Sequence, residues 1–316
     1  MTLIEAQKGA PATISLDNIM LVQGRVLALG GLSLRIPAGI TGVLGPNGSG
    51  KTSLFRVLAG LVRPKAGQAH VLGADPYTDA RTRGKIVLVP AVDFFDEKVS
   101  ARKNIRLALM ARGFKGSELL KRTEHALDTT ELDDRANEAY GTWSRGMRQR
   151  LKLAYALATQ ADIYLLDEPL QGVDPPTRVA IREIIQTLGD QGRTVLIASH
   201  ILHDVEQITD QVLLLANGRL LGHGRLGELL DRLRDQHPHR IRLFTDEPRK
   251  LAEALIGLKF VREVSLVSTK TVEFVTNRPK EAYAELPQLI RRQNALVWRV
   301  ETKDNDLEAL FDYMVG

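Results

Sequence analysis

At 316 residues, 44% apolar and 26% charged, the chain has an ordinary globular composition with room for a full core, and its length favours about two domains. The formal charge of +5 is spread over mixed acidic and basic stretches, so no direct nucleic-acid binding is expected. With no cysteine there is no disulfide framework, no thiolate zinc site and no cysteine nucleophile. The best apolar runs, such as Ile163 to Leu166 and Val212 to Ala216, are strand-sized and far short of the roughly 20 residues of a spanning helix. Met1 to Thr13 lacks the basic start and apolar centre of a secretory signal, so the chain is expected to stay where it is made.

In chain order, short apolar runs alternate with longer amphipathic segments from Ile14 to about Leu230, the pattern of a mostly parallel sheet covered by helices. Gly39 to Leu44, Lys85 to Val89, Ile163 to Leu166 and Thr194 to Ala198 are apolar throughout, as strands buried on both faces are. Ser53 to Leu61 is a predicted helix. Residues Val99 to Gln160 show helical spacing without strands and are expected to form an inserted helical subdomain. Pro238, in the segment Asp235 to His239, breaks the pattern, which sets a boundary between domains at 1–237 and 238–316. Beyond it a strand at Ile241 to Phe244, a helix at Lys250 to Ile256, strands at Val261 to Val267 and Val272 to Val275, a helix at Ala282 to Arg292 and a strand at Ala295 to Val300 follow. Their order, βαββαβ, predicts a small α+β, ferredoxin-like domain.

Chemistry enters at Gly45, Pro46, Asn47, Gly48, Ser49, Gly50, Lys51 and Thr52, which fit the phosphate-loop pattern GxxxxGK[ST] between an apolar strand and a helix. Glycines let successive N–H groups turn inward around the phosphates of a nucleotide, the helix N-terminus adds positive potential, and Lys51 supplies a mobile charge. The Thr52 hydroxyl suits Mg²⁺. Downstream, the strand Ile163 to Leu166 ends in Asp167 and Glu168. Asp167 can hold the Mg²⁺ shell, and Glu168 can polarise an attacking water as general base.

At Trp143, Ser144, Arg145, Gly146 and Met147 the chain resembles the ATP-binding cassette family, which has its LSGGQ signature at this place; Ser144 and Gly146 match it. Gln171, Gly172, Val173, Asp174 and Pro175 resemble the family's D-loop, and Ser199 with His200 its switch histidine. The resemblance runs from about Leu16 to Leu230. It implies an α/β fold with a P-loop NTPase cassette core, ATP and Mg²⁺ as cofactors, and hydrolysis assisted by Lys51, Glu168 and His200. It also implies that Ser144 and Gly146 reach the γ-phosphate held by an opposite subunit. The last stretch resembles the C-terminal extension of exporter-type cassette subunits, with Leu307, Glu308, Ala309, Leu310 and Phe311 matching an LExxF ending.

The resemblance thus implies the ATPase subunit of a membrane exporter, peripheral at the cytoplasmic face. Its expected partners are an integral membrane permease subunit and a second copy of itself or a paralogous cassette. It breaks at two places: Gln23 stands where most cassettes stack an aromatic residue on adenine, and Ala91 follows Pro90 where a glutamine is usual. The single cassette, without a long heptad insertion or basic tail, argues against a soluble cassette ATPase acting on DNA or ribosomes. Lys51, Asp167, Glu168 and His200 argue against a non-hydrolysing regulator. Between these breaks and the subdomain, Val92 to Glu97 places Phe94 and Phe95 side by side among acids. Adjacent residues of an extended segment point oppositely, so one ring is expected inside and the other free to meet the membrane subunit.

Overall fold

A computed structural model describes residues 3–4, 12–229 and 239–302. The chain divides into two compact units, Met1–Leu226 and Gly227–Gly316. Pro238 and the segment Leu307 to Phe311 lie outside the described residues.

The first unit carries β1 (Leu3–Ile4), β2 (Ala12–Gln23), β3 (Val26–Pro37), β4 (Gly39–Leu44), α1 (Lys51–Leu58), β5 (Ala66–Val71), α2 (Ala80–Gly84) and β6 (Ile86–Val89). Helices α3 (Ala101–Ala111), α4 (Gly116–Thr129) and α5 (Arg145–Thr159) follow, then β7 (Ile163–Asp167), α6 (Pro175–Asp190), β8 (Thr194–Ser199), α7 (Leu202–Glu206), β9 (Gln211–Ala216) and β10 (Arg219–Arg225).

The main sheet has the order β1-β10-β9-β4-β8-β7-β6 and is parallel except where β10 pairs antiparallel with β9. Its central strands bury both faces, and the strand period divides their side chains between two cores. Val43, Leu165, Leu196 and Leu213 pack with Leu54, Phe55 and Leu58 of α1. Tyr164, Leu166, Val195 and Ile197 point the other way, onto Ile181, Ile185 and Leu188 of α6.

A second sheet, β3-β2-β5, is antiparallel and closes the α1 side with Ile14, Leu16 and Leu34. Sequence periodicity did not separate this sheet from the parallel one. The pairing of β2 with β3 slips register several times, and each bulge shifts the apolar alternation between faces.

Helix α1 begins at Lys51 and ends at Leu58, two residues earlier at its start and three earlier at its end than the pattern predicts. Gly60, at φ +67°, takes the left-handed conformation that ends a helix, so Leu61 falls outside. The inserted region carries helices joined by turns, with no strand from Ala101 to Thr159, and has its own core of Phe95, Ile105, Leu109, Leu127, Tyr140, Trp143 and Leu151.

The second unit runs β11 (His239–Thr245), α8 (Pro248–Ile256), β12 (Val261–Ser268), β13 (Thr271–Thr276), α9 (Pro279–Gln293) and β14 (Val297–Thr302). Its sheet is antiparallel with the order β12-β13-β11-β14, the strand arrangement of the split βαβ pattern. Ile241, Leu243, Val272 and Phe274 on one sheet face bury Leu251, Leu255 and Leu286 of the two helices.

Candidate functional site

Parallel strands place the loops at their C-terminal ends on one edge, where ligands of open α/β sheets bind. Residues 45–50 link β4 to α1, so the phosphate loop sits on that edge. Gly50 takes φ +106°, and a Cβ there would come within 2.7 Å of the Ala28 carbonyl, so only glycine admits the turn into α1. The Ser49 hydroxyl is buried and has no hydrogen-bond partner among the described residues, a polar atom left for a ligand.

Lys51 is 6% exposed, and its Nζ donates to the carbonyls of Gly45 (2.6 Å) and Pro46 (3.1 Å). Burial lowers its pKa, against the pull of Glu168 and Asp167. The ammonium is thus held on its own loop by backbone dipoles, 3.9 Å from Glu168 Oε1.

Register brings the acids to the same place. Strands β7 and β8 pair Asp167 with Ala198, and β4 pairs Leu44 with Ser199, so the ends of three strands lie side by side. Thr52 Oγ1 donates to Asp167 Oδ2 at 2.8 Å. Burial pushes the Asp167 carboxyl up, opposed by this bond and by Lys51. Glu168 sits at φ +51°, a conformation that costs a non-glycine residue about 1–2 kcal/mol. Its N–H donates to the Ala198 carbonyl at 2.9 Å, and its Oε1 lies 3.0 Å from His200 Nδ1. Such a strained carboxylate, fixed by two neighbours beside a phosphate loop, is where backbone strain commonly serves chemistry.

Residues 47–53, Asp167 and Glu168 line a cleft of about 430 Å³ that also includes Gln23, Val26, Leu27, Ala28, Ala91 and Gln171, whereas Gly45, Pro46 and His200 are not among its lining residues. Val26 and Leu27 are exposed apolar side chains that motif reading passed over; a hairpin following Gln23 was their only signal. Among the described residues no aromatic side chain lines the cleft.

Ser144 and Gly146 are not among its lining residues. Ser144 is exposed and caps α5, accepting from the Met147 N–H at 3.3 Å. Gly146 is buried against the D-loop. A Cβ there would stand 3.1 Å from Asp174 Oδ1 and 3.2 Å from Thr177 Oγ1. The Arg145 guanidinium lies on Gly172, a contact that spacing alone did not reveal.

A Mg²⁺ ion fits this donor set. The Thr52 hydroxyl and the Asp167 carboxylate are hard oxygen donors already in contact, and among the described residues no group of three or more His, Asp or Glu forms an all-protein cage. That combination suits an ion that keeps most of its shell for water and phosphate oxygens.

The family model described as ABC transporter matches residues 29–171. The daunorubicin/doxorubicin resistance ATP-binding protein of Streptomyces peucetius is 33% identical over 246 residues, which cover 77% of this chain and 74% of that one. The Nod factor export ATP-binding protein I of Cupriavidus metallidurans is 31% identical over 222 residues, 70% of this chain and 73% of that one. Among solved structures, a dimeric ATP-binding cassette in a post-hydrolysis state, bound to ADP and phosphate, superposes with a TM-score of 0.62 at 25% identity, covering 67% of this chain and 98% of that one. A phosphate loop, a paired acid edge and this kinship converge: the chain belongs to the ABC transporter family, as a subunit that binds ATP with Mg²⁺ and hydrolyses it.

Proposed function

We propose that this subunit drives an exporter, and that Lys51, Glu168 and His200 carry the hydrolysis. The observation that supports the residue roles best is the cluster at the strand ends, with Glu168 3.0 Å from His200 and 3.9 Å from Lys51. The phosphate loop, Gly45 to Thr52, receives the phosphates through its N–H groups, and Lys51 exchanges its carbonyl partners for phosphate oxygens. Thr52 and Asp167 hold Mg²⁺, which neutralises phosphate charge when bound. Glu168 takes a proton from water as the oxygen attacks the γ-phosphorus, the bond to the leaving ADP breaks, and inorganic phosphate carries the new P–O bond. His200 keeps the Glu168 carboxylate aimed.

Because Ser144 and Gly146 stand apart from their own chain's cleft, they serve the nucleotide of a second cassette, a copy of this chain or a paralogue, that docks head to tail. ATP binds the closed pair better than the open one, and this differential affinity drives closure. The names of the two relatives, one for drug resistance and one for export, support an outward direction. Residues 1–237 act as the cassette and 238–316 as an accessory domain. No helix among the described residues is long and apolar enough to cross a membrane. The motion therefore passes to a separate permease subunit at the inner face of the cell membrane.

Two experiments test this. Ser144→Arg is expected to impair turnover while leaving nucleotide binding to the monomer unchanged. Mixing it with Lys51→Ala regenerates one intact composite site per mixed dimer and so recovers activity. No recovery in a confirmed mixed dimer rejects the trans arrangement.

The surface offered to the permease includes Phe94, 40% exposed, whereas Phe95 is 8% exposed and packs edge-on to Tyr140 at 5.5 Å. Phe94→Ala should weaken membrane association by about 1–3 kcal/mol with basal hydrolysis intact. Phe95→Ala should instead lower unfolding stability by about 3–5 kcal/mol. Unchanged membrane binding in Phe94→Ala, measured by co-sedimentation with permease-containing vesicles, places the docking surface elsewhere.

A further inference from the structure

Lys152 is a lysine on the buried side of α5, 1% exposed, within a helix whose other buried residues are mainly apolar. Its Nζ donates to the carbonyls of Pro90 (3.1 Å) and Ala91 (2.8 Å) and lies 3.8 Å from Asp93 Oδ1. A cation is costly to bury, so sequences keep one there only where its partners matter.

The partners sit at a junction. Val89, the last residue of β6, pairs with Leu166, so Pro90 and Ala91 leave the sheet beside Asp167 and Glu168, and Ala91 lines the nucleotide cleft. Ala91 has no polar side chain with which to grip anything. Among the described residues, the side-chain hydrogen bonds to the carbonyls of Pro90 and Ala91 come from Lys152 alone.

The next few residues are fastened differently. Arg148 bonds Asp93 (3.0 Å) and Glu97 (3.1 Å), and also the carbonyls of Gly141 and of Trp143, the first residue of the signature stretch. Asn104 of α3 accepts from the Asp96 N–H and donates to the Asp96 carbonyl. These ties hold residues 93–97 within the helical subdomain. At the far end of β6, Arg112, which follows α3, donates to the carbonyls of Gly84 and Ile86. Among the described residues, Lys152 is therefore the side-chain hydrogen-bonding tie between the catalytic end of β6 and the helix that carries Ser144 at its N-terminus.

We propose that Lys152 is a positioning residue that makes the nucleotide-contacting strand end, the segment 91–97 and the signature helix move as one body, a link that Ala91 cannot supply. The proposal rests on the reading of the cleft as the ATP site. A displacement of the Asp167–Glu168 edge on nucleotide binding reaches Pro90 and Ala91 through the β6–β7 ladder, and the ammonium passes it to α5. Without Lys152, the other ties keep 93–97 on the subdomain while the strand end keeps only its apolar packing, Val87 and Val89 in one core with Leu153 and Ala156 of α5.

The absence of cysteine permits a clean reporter. Val92 is 72% exposed, so Val92→Cys places a single accessible thiol beside the junction. Its alkylation rate by a maleimide is measured with and without a non-hydrolysable ATP analogue and Mg²⁺. In the otherwise native chain the analogue is expected to change the rate by about fivefold or more, the smaller end of ordinary coupling between sites. Adding Lys152→Met should collapse that change, with analogue affinity kept within about twofold, as for a residue outside the binding contacts.

A full nucleotide response in Lys152→Met overturns the proposal, as does no response in the native background despite measured binding. Parallel loss of affinity and of the unfolding midpoint assigns Lys152 a structural role only and also overturns it. If the Met variant does not fold, Lys152→Gln, neutral and shorter but still a donor, is read by the same outcomes. Lys51→Ala in the reporter chain is the separate control. If it binds and hydrolyses ATP like its parent, the site reading fails, whatever Lys152 does.

Discussion

Lys51→Ala is expected to raise the Kd for ATP by about 2–5 kcal/mol, roughly thirtyfold to several thousandfold, and to abolish turnover with it. Lys51 is 6% exposed and its ammonium sits on the carbonyls of the phosphate loop, where little water competes for it. Alanine removes the charge that meets the phosphates, and it also frees the carbonyls of Gly45 and Pro46, which point into the loop that must accept anionic oxygens. Unpaired carbonyl dipoles beside phosphate add repulsion to the lost attraction. The folded state should suffer less than binding, because burying an ammonium opposes folding and its removal relieves that cost. Calorimetric titration alongside a denaturant melt separates the two effects, and native ATP affinity in this variant rejects the role given to Lys51.

Glu168→Gln should lower kcat by about 10²–10⁴ while ATP affinity holds or improves. The amide keeps the shape of the carboxylate and can still meet His200 at the present 3.0 Å, but it cannot take a proton from water. It also removes a negative charge beside incoming phosphate. With closure favoured and hydrolysis stalled, ATP should hold the subunits together long enough for size exclusion to record a dimer. A variant that turns over at the native rate shows that another group is the base, and one that stays monomeric with ATP bound contradicts the closure cycle.

Both predictions begin from residues that are adjacent in sequence to an unmistakable local pattern. The phosphate loop is legible because its function is performed by backbone geometry, and backbone geometry is written in consecutive residues such as Gly48, Gly50, Lys51 and Thr52. Asp167 and Glu168 are legible because a strand end fixes both acids by position alone. Phe94 and Phe95 divide into one exposed and one buried ring as expected, but not by alternation: their ring centroids lie 4.3 Å apart and both rings pack against Tyr155.

Other features depended on pairing that no local window contains. The antiparallel sheet β3-β2-β5 was hidden because bulges shift the face on which its apolar residues fall. The contact of Arg145 with Gly172 joins two loops through space. Nothing in the local sequence distinguishes Lys152 from the other cations of its helix, and only the packing of α5 against the end of β6 turns that cation inward onto two carbonyls 61 and 62 residues away.

By itself, then, the sequence determined where the glycine-rich loop turns into α1 and which acids end the strand at Asp167, because short-range backbone conformation is set by neighbouring residues. The tertiary structure decided what those groups are tied to. The Glu168–His200 contact and the Lys152 tie across α5 and β6 span 32 and at least 61 residues of chain, and such contacts form only when strand register and helix packing bring distant segments together.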